Sequence, residues 1–245
     1  MKNTYIKIST LLVLVLVTVA NLQVSYAKPN SLNIACALPK DSIPLARLDV
    51  DEFKDLVASG AIVLDTRSTG EFAAGHVPNS IYVGWNGPFK AWVSKVFPNK
   101  DQSLVLISDQ AGLAQVTATL LELGYSHVLG YLAEGVEAYK LENRLDSIVE
   151  VSVKAYYDLS TSGQIIDVRS EKEFINEHID NAMNFPLKDF YNFNVDIPHD
   201  KNYYVQCLSG YRSMIAISIL KAKGVENVIN VQGGYQALKK IKEDK

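Results

Sequence analysis

The sequence predicts an α/β protein of two similar domains, each with a mainly parallel sheet flanked by helices. Three observations support this prediction. A set of residues occurs twice, roughly one hundred residues apart, which is the size of a domain. Short apolar runs, typical of strands buried on both faces of a sheet, alternate with segments of helical spacing. Glycines mark predicted helix ends at Gly124 and Gly224, and a predicted strand follows each.

The predicted elements come in the same order in both copies. A helix over residues 50–57 precedes a strand over residues 61–64 in the first copy, and the second copy has a helix over 152–159 before a strand over 163–166. Later strands are predicted over residues 104–107, 128–129, 203–206 and 228–231, and a helix over 214–221. Strands that alternate with helices favour parallel pairing.

The repeated residues are polar as well as apolar. They are Asp65, Arg67, Ser68, Glu71, Phe72, His76 and Asn79 in the first copy, and Asp167, Arg169, Ser170, Glu173, Phe174, His178 and Asn181 in the second. The histidines and glutamates suggest catalysis, but they recur in a copy that lacks the cysteine described below. We therefore expect them to serve the fold. We expect each arginine to pair with the glutamate that follows it, and each aspartate to fix a loop at a strand end.

A single cysteine lies between a predicted strand and a predicted helix, in the segment Cys207-Leu208-Ser209-Gly210-Tyr211-Arg212-Ser213. Backbone N–H groups of such a loop and the positive end of the helix dipole favour the thiolate. Arg212 adds a fixed positive charge that can hold an anionic substrate. The alternative is an inert buried thiol, since cysteine is often buried.

The spacing from Cys207 to Arg212 is short. Cysteine phosphatases use a longer loop, because it must wrap a whole phosphate; a shorter loop suits a single sulfur atom carried on the cysteine. The segment resembles the active-site loop of rhodanese-type sulfurtransferases, which carry a persulfide. The Asp-x-Arg…Glu-Phe…His pattern of both copies also resembles the first half of a rhodanese domain. The resemblance implies two rhodanese-like domains over nearly the whole mature chain.

The resemblance assigns roles to the loop. Cys207 would be the catalytic nucleophile, and Arg212 would orient the anionic donor. The remaining substrate-binding candidates are Leu208, Ser209, Gly210, Tyr211 and Ser213. The serines could donate hydrogen bonds, and Tyr211 would point out of the loop and shape access. Asp167 and Arg169 are secondary candidates, because ligands of such folds bind beyond the carboxyl ends of the strands. No metal or organic cofactor is implied, and the four histidines are scattered.

The first copy lacks this chemistry. The strand predicted over 104–107 is followed by Ser108-Asp109-Gln110-Ala111-Gly112, a segment about two residues shorter. Alignment on the glycine puts Asp109 opposite Cys207, and alignment on the helix puts Ile107 there. Neither choice supplies a cysteine or an arginine. We expect an inactive first domain over residues 45–145, where a protein partner could dock, and a catalytic second domain over 146–245, with the boundary near residues 143–147.

The chain begins with a segment that is typical of export. Lys2 and Lys7 precede a short apolar run, and Ser25-Tyr26-Ala27 fits a cleavage site. Residues 1–27 are predicted to be a signal peptide and residues 28–44 a leader, which gives a periplasmic or secreted protein. An uncleaved membrane anchor is the alternative.

Composition narrows the function further. The net charge of −3 and the lack of a basic stripe argue against nucleic-acid binding. The two cysteines, Cys36 and Cys207, could form a transient bridge, but a structural one would silence Cys207. We therefore expect an exported sulfurtransferase that moves sulfane sulfur from a small anionic donor, thiosulfate or polysulfide, to a thiol acceptor. The alternatives are a non-catalytic sulfur carrier or binding module, and a rhodanese-related phosphatase.

Overall fold

The computed structural model describes residues 45–159, 163–190, 198 and 201–243. The predicted signal segment and leader, with Cys36, lie outside the described residues. Within those residues, none of the helices combines the length and the apolar character needed to cross a membrane. Residues 45–148 are called the first half below, and residues 149–243 the second half.

The first half alternates strands and helices from its start. Its elements are β1 (Arg47–Leu48), α1 (Val50–Ala58), β2 (Ile62–Asp65), α2 (Thr69–Ala74), β3 (Ile81–Tyr82), α3 (Phe89–Val96), β4 (Leu104–Ile107), α4 (Gln110–Glu122), β5 (Val128–Leu132) and α5 (Gly135–Lys140). The apolar runs predicted as strands lie in β2, β4 and β5. The segment predicted as the first helix is α1.

The second half repeats this order, with a 3-10 turn where the first half has α3. Its elements are β6 (Val149–Val151), α6 (Val153–Leu159), β7 (Gly163–Asp167), α7 (Glu171–Asn176), β8 (Met183–Asn184), the 3-10 turn (Leu187–Asp189), β9 (Asn202–Gln206), α8 (Tyr211–Ala222), β10 (Val228–Val231) and α9 (Gly234–Glu243). The bounds of β10 are those predicted. Helix α8 begins three residues before the predicted residue 214.

Each half forms a five-stranded sheet in the described residues. The strand orders are β1-β5-β4-β2-β3 and β6-β10-β9-β7-β8, which are the same topology. Every strand pair in both sheets is parallel. The predicted fold class, two α/β domains with parallel sheets flanked by helices, is therefore confirmed. The strands β1, β3, β6 and β8, of two or three residues each, were not predicted, because they are too short to show a periodicity.

The repeated polar residues stabilise helix starts and strand ends. In α2 the Ser68 side chain accepts from the backbone N–H of Glu71, and the Glu71 carboxylate accepts from the N–H of Ser68; Ser170 and Glu173 do the same in α7. These reciprocal bonds satisfy N–H groups that a helix start leaves unpaired.

The predicted pairing of each repeated arginine is wrong. Arg67 Nη2 lies 2.6 Å from Asp65 Oδ2, and Arg169 Nη2 lies 2.7 Å from Asp167 Oδ2, so each arginine pairs with the aspartate two residues before it. The physical reason is that the Glu71 and Glu173 carboxylates cap their own helices. Both ion pairs are buried.

The repeated histidines make the same two contacts in both halves, although His76 is buried and His178 is exposed. His76 Nδ1 lies 3.0 Å from the Phe72 carbonyl oxygen, and its ring stacks on Phe72 with centroids 4.1 Å apart. His178 makes the same contacts with Phe174, at 2.8 Å and 4.1 Å. The same contacts in the half with Cys207 and in the half that has Ser108 in its place agree with a role in the fold.

The two halves share a hydrophobic core. One cluster of buried residues includes Leu64 and Phe72 from the first half and Val205 and Met214 from the second. The chain passes from one sheet to the other at Ile148, whose N–H donates to the Ala73 carbonyl of the first half. The next residue begins β6, which pairs with β10 of the second sheet.

Candidate active site

Cys207 lies at the carboxyl end of the central strand of the second sheet. It follows β9 directly, and the loop of residues 207–210 leads into α8. This is the edge where ligands of parallel α/β sheets bind. Cys207 is only 1% exposed. Leu208 and Ser209 are the exposed residues of the loop.

A backbone donor faces the sulfur atom. The N–H of Gly210 points at Cys207 Sγ, with nitrogen and sulfur 3.1 Å apart. Gly210 has a φ of 113°, in the region that side chains rarely adopt. Its conformation turns the chain into α8, so that the N-terminal end of this twelve-residue helix lies at the loop. A donor in this position stabilises negative charge on the sulfur.

The carbonyl groups of the loop bind to the rest of the second half. Cys207 O accepts from the N–H of Tyr235 at 2.7 Å, and Leu208 O accepts from the N–H of Gln236 at 3.1 Å. Both donors lie in the first turn of α9. Gly234 permits this approach, because an added Cβ there would overlap the carbonyl oxygen of Cys207. The carbonyls of Cys207 and Leu208 are thus fixed by α9.

Ser213 fastens the same loop from α8. Its hydroxyl oxygen lies 2.9 Å from Gly210 O and 2.8 Å from Asn230 Oδ1. Asn230 in turn donates from Nδ2 to Glu150 Oε1 at 2.6 Å. Ser213 is fully buried, and its hydroxyl is committed to these partners. It therefore holds the loop backbone instead of facing the solvent.

Arg212 forms a two-pronged ion pair with Glu173. Its Nη1 and Nη2 atoms each lie 2.8 Å from a different oxygen of the Glu173 carboxylate. The hydrogen bonds from Arg212 lower the pKa of Glu173 to about 2. The pKa of Arg212 is raised by the Glu173 carboxylate first, and also by the nearby Cys207. Arg212 thus links the loop to the start of α7 while its charge stays near the sulfur.

Tyr211 leaves the loop and reaches the first half. Its hydroxyl donates to the Gly84 carbonyl oxygen at 2.7 Å. Between the loop and the first half lies a cleft of about 450 Å³, lined by Ser68, Thr69 and Asn86 on one side and by Ser209, Gly210, Glu150 and Gln232 on the other. Tyr211 lines the cleft as well, so it borders this space while being anchored.

The secondary candidates lie deeper in the fold. Asp167 is 0% exposed and Arg169 is 3% exposed, and they form the buried ion pair described above. The Arg169 guanidinium also lies 3.9 Å from the centre of the Tyr235 ring. Asp65 and Arg67 repeat the pair in the first half. Both residues therefore stabilise the carboxyl edge of the sheet from inside the fold.

The first half has a shorter loop at the corresponding place. Gln206 pairs with Asp167 across the second sheet, and Ile107 pairs with Asp65 across the first, so Gln206 and Ile107 are equivalent. Ser108 therefore occupies the position of Cys207. Both alignments considered from the sequence, with Asp109 or Ile107 there, are wrong by one residue. Two residues, 108 and 109, join β4 to α4, against four in the second half, so the predicted shortening is correct.

The sequence model of the rhodanese-like domain matches this chain twice, over residues 49–142 and 152–241. The chain belongs to the rhodanese-like domain family. The two matches follow the two sheets, and the resemblance predicted from the cysteine loop and from the repeated pattern is confirmed.

Known proteins align with parts of the chain. "Uncharacterized protein YqhL" of Bacillus subtilis is 30% identical over 102 residues, which are 41% of this chain and 79% of that protein. "Thiosulfate sulfurtransferase GlpE" of Shewanella oneidensis is 33% identical over 76 residues, 31% of this chain and 75% of that protein. A crystal structure of thiosulfate sulfurtransferase from Pseudomonas aeruginosa is 18% identical with a TM-score of 0.36, covering 81% of this chain and 43% of that one.

Three features of the site were missed from the sequence. They are the Glu173 partner of Arg212, the α9 amides that hold the loop carbonyls, and the Gly84 acceptor of Tyr211. The Ser-x-x-Glu spacing of residues 170–173 is a capping-box signal that would have placed the Glu173 carboxylate at the start of α7. The Gly84 contact has no local sequence signal, since 127 residues separate the partners.

Proposed function

We propose that this rhodanese-like protein is an exported sulfurtransferase that carries sulfane sulfur on Cys207. The observation that carries the proposal is the contact between the Gly210 N–H and Cys207 Sγ, in a loop whose neighbouring carbonyls are bound by α9. In such a loop the backbone N–H groups face the sulfur, and the carbonyl groups point away from it. Preorganised donors stabilise the charge that develops on a sulfur nucleophile or leaving group.

The first half-reaction loads the cysteine. The Cys207 thiolate attacks the outer sulfur of thiosulfate, a new S–S bond forms, and the original S–S bond breaks with its electron pair leaving on sulfite. With a polysulfide, a shorter polysulfide leaves instead. The product is a Cys207 persulfide whose negative terminal sulfur needs hydrogen-bond donors. The backbone N–H groups of residues 208–210 would supply them.

The second half-reaction unloads it. An acceptor thiolate attacks the terminal sulfur, and the bond to Cys207 breaks with its electron pair returning to the Cys207 thiolate. The acceptor leaves as a persulfide. Because the donor product departs before the acceptor reacts, ping-pong kinetics are expected. The cleft beside Ser209 and Gly210 offers a route for both substrates.

The donor class has independent support. The relative from Shewanella oneidensis is named a thiosulfate sulfurtransferase. The positive charge of Arg212 lies near Cys207 and favours an anionic donor, even though its hydrogen bonds go to Glu173. Thiosulfate and polysulfide are therefore the donors to test first.

The proposal also includes export of the protein and an inactive first half beside a catalytic second half. The charged start, apolar run and Ser25-Tyr26-Ala27 site support cleavage of residues 1–27 and a periplasmic or secreted enzyme. Ser108 in place of cysteine, in a loop without arginine, supports an inactive first half. N-terminal sequencing of the protein from the envelope or medium fraction would test the cleavage site; an intact Met1 there would instead indicate an anchor.

A non-catalytic sulfur carrier is the second candidate. The 1% exposure of Cys207 favours it, because a covered sulfur exchanges slowly with small molecules. A carrier would accept one sulfur but would release it slowly to any small thiol. An enzyme would discharge within each turnover.

The decisive experiment is the intact mass of the mature protein after incubation with thiosulfate or polysulfide. We expect a gain of one sulfur atom that cyanide or a thiol removes, and no gain in the Cys207→Ser variant. Ser108→Ala serves as the control from the first half and should load normally. A wild-type protein that gains no sulfur from either donor would exclude the proposal.

A further inference from the structure

Helix α8, which starts at the catalytic loop, is packed by both halves of the protein. Every residue from Ser213 to Leu220 is buried, so the helix has no solvent-facing side over this stretch. Its own sheet covers one side, and β3 of the first half contacts another. The backbone N–H of Tyr82, in the edge strand β3, donates to Ser218 Oγ at 3.0 Å. The first half thus meets α8 along its length.

Tyr211 extends this contact to the loop itself. Its hydroxyl donates to Gly84 O at 2.7 Å, and its ring meets the Tyr82 ring edge-on, with centroids 5.9 Å apart. Burial raises the pKa of Tyr211, so the phenol stays protonated and keeps donating at neutral pH. A half-buried tyrosine whose ring is packed and whose hydroxyl is hydrogen-bonded holds its position well.

The first half provides a fitted place for this side chain. A Cβ added at Gly87 would overlap the ring of Tyr211, and a Cβ added at Gly84 would overlap the hydroxyl of Tyr82. The segment of residues 84–87 therefore leaves free the volume that the two tyrosine rings occupy. We call these four residues the tyrosine seat.

We propose that the first half acts as the positioning element of the catalytic loop, with Tyr211 anchored in the tyrosine seat. Tyr211 follows Gly210 directly, so fixing Tyr211 also fixes Gly210, whose nitrogen lies 3.1 Å from Cys207 Sγ. Tyr211 is then a positioning residue, and the half without cysteine has a role in the reaction. The inference rests on the proposed sulfur transfer for its kinetic consequences only.

Tyr211→Phe tests the anchor, and Tyr125→Phe is the matched control. The Tyr125 hydroxyl oxygen lies 2.6 Å from Phe97 O and 3.0 Å from Val93 O, both backbone acceptors within the first half. Each variant removes a tyrosine hydroxyl that donates to a backbone carbonyl, and because Tyr125 is fully buried while Tyr211 is half-buried, Tyr125→Phe should lose at least as much thermal stability as Tyr211→Phe. Only Tyr211→Phe should lower kcat, by about tenfold, the equivalent of one hydrogen bond, with an unchanged KM for thiosulfate.

The reactivity of Cys207 gives a second readout that needs no sulfur donor. The rate of alkylation by iodoacetamide, measured against pH, reports how well the loop stabilises the thiolate. Tyr211→Phe should move this profile to higher pH, whereas Tyr125→Phe should leave it in place. Gly87→Ala, which displaces the Tyr211 ring from the first half without touching the loop, should move it in the same direction.

These outcomes separate the two proposals. A wild-type protein that takes up no sulfur would remove the proposed function, yet the alkylation profiles would still test the anchor. Profiles of Tyr211→Phe and Gly87→Ala that coincide with the wild-type profile would overturn the positioning role. So would equal kcat losses in Tyr211→Phe and Tyr125→Phe, because a general loss of stability would then explain both.

Discussion

Arg212 grips the carboxylate of Glu173 with two hydrogen bonds of 2.8 Å, joining the second residue of α8 to the first turn of α7. The sequence favours Arg212 as a free cation for an anionic donor. In the structure its planar donors are matched by a carboxylate, the geometry in which arginine binds most strongly. Its main effect is therefore on the position of the loop.

Glu173→Gln should lower the free energy of unfolding at neutral pH but not at acidic pH, where Glu173 is protonated. Glu71→Gln is the control from the first half. The pKa of Glu173 falls from 4.5 to about 2, chiefly because of Arg212. A lowered carboxyl pKa contributes stability that is complete above pH 4.5 and disappears as the pH falls toward 2. Glu71 caps its helix in the same way, but within the described residues no arginine forms an ion pair with it, because Arg67 pairs with Asp65. The pKa of Glu71 is lowered chiefly by the hydrogen bond from the serine that caps its helix, and least by the charge of Arg67.

The measurement is the urea midpoint of each variant between pH 7 and pH 2.5. The difference in urea midpoint between the wild type and Glu173→Gln should shrink as the pH falls through this window. At neutral pH it should be larger than the difference between the wild type and Glu71→Gln. Equal differences for the two variants would show that the ion pair adds nothing to the helix cap.

Arg212→Lys should separate positioning from donor binding. Lysine keeps the charge but cannot make the two-pronged contact with Glu173. If Arg212 positions the loop, kcat should fall by about tenfold while the KM for thiosulfate changes little. Arg144→Lys, at an exposed arginine, is the control and should behave as the wild type. If the KM rises while kcat is unchanged, Arg212 binds the donor and does not position the loop.

Gly234→Ala should disturb the loop from the side of α9. Both Gly234 and Gly224 have positive φ, at 56° and 86°, but only Gly234 touches the loop; a Cβ at Gly224 would meet nothing. Gly224→Ala should therefore cost about 1 kcal/mol of stability from backbone strain alone. Gly234→Ala should cost about 3 kcal/mol and also reduce sulfur loading of Cys207. Normal loading at full stability would contradict the role assigned to α9.

Asp167→Asn and Asp65→Asn compare the two buried ion pairs. Each substitution leaves a buried arginine without its carboxylate and should cost about 3–5 kcal/mol in the free energy of unfolding. Because the two pairs have the same geometry, the losses should be alike, and neither variant should change the KM for thiosulfate in steady-state assays. A KM change confined to Asp167→Asn would place Asp167 among the substrate contacts.

Much of the fold follows from local sequence. Strands β2, β4, β7 and β9 are short apolar runs that end at the same edge, and their alternation with helices predicts parallel pairing. The cysteine loop is predicted for the same reason, since it lies between such a run and a helix. The sequence does not predict correctly which polar side chains pair with each other. Arg169 has Asp167 and Glu173 within reach along the chain, and the helix cap decides between them.

Contacts between the two halves cannot be predicted from the local sequence. Tyr211 carries an apolar ring and a polar tip, which suit a pocket rim as well as a distant acceptor. The acceptor is the backbone carbonyl of Gly84, and a carbonyl is present in every residue. Likewise, the complete burial of Ser213 to Leu220 depends on β3 of the other half, so the helix pattern alone does not reveal its second neighbour.

The burial of α8 on all sides has a consequence for how the protein unfolds. Separating the halves would expose one side of this helix and leave the Tyr82 N–H without its Ser218 acceptor. Neither sheet can therefore lose its order without cost to the other. We expect the two domains to melt together as one cooperative unit, so that a duplicated fold with a cysteine loop in only one of its described halves behaves as one thermodynamic body.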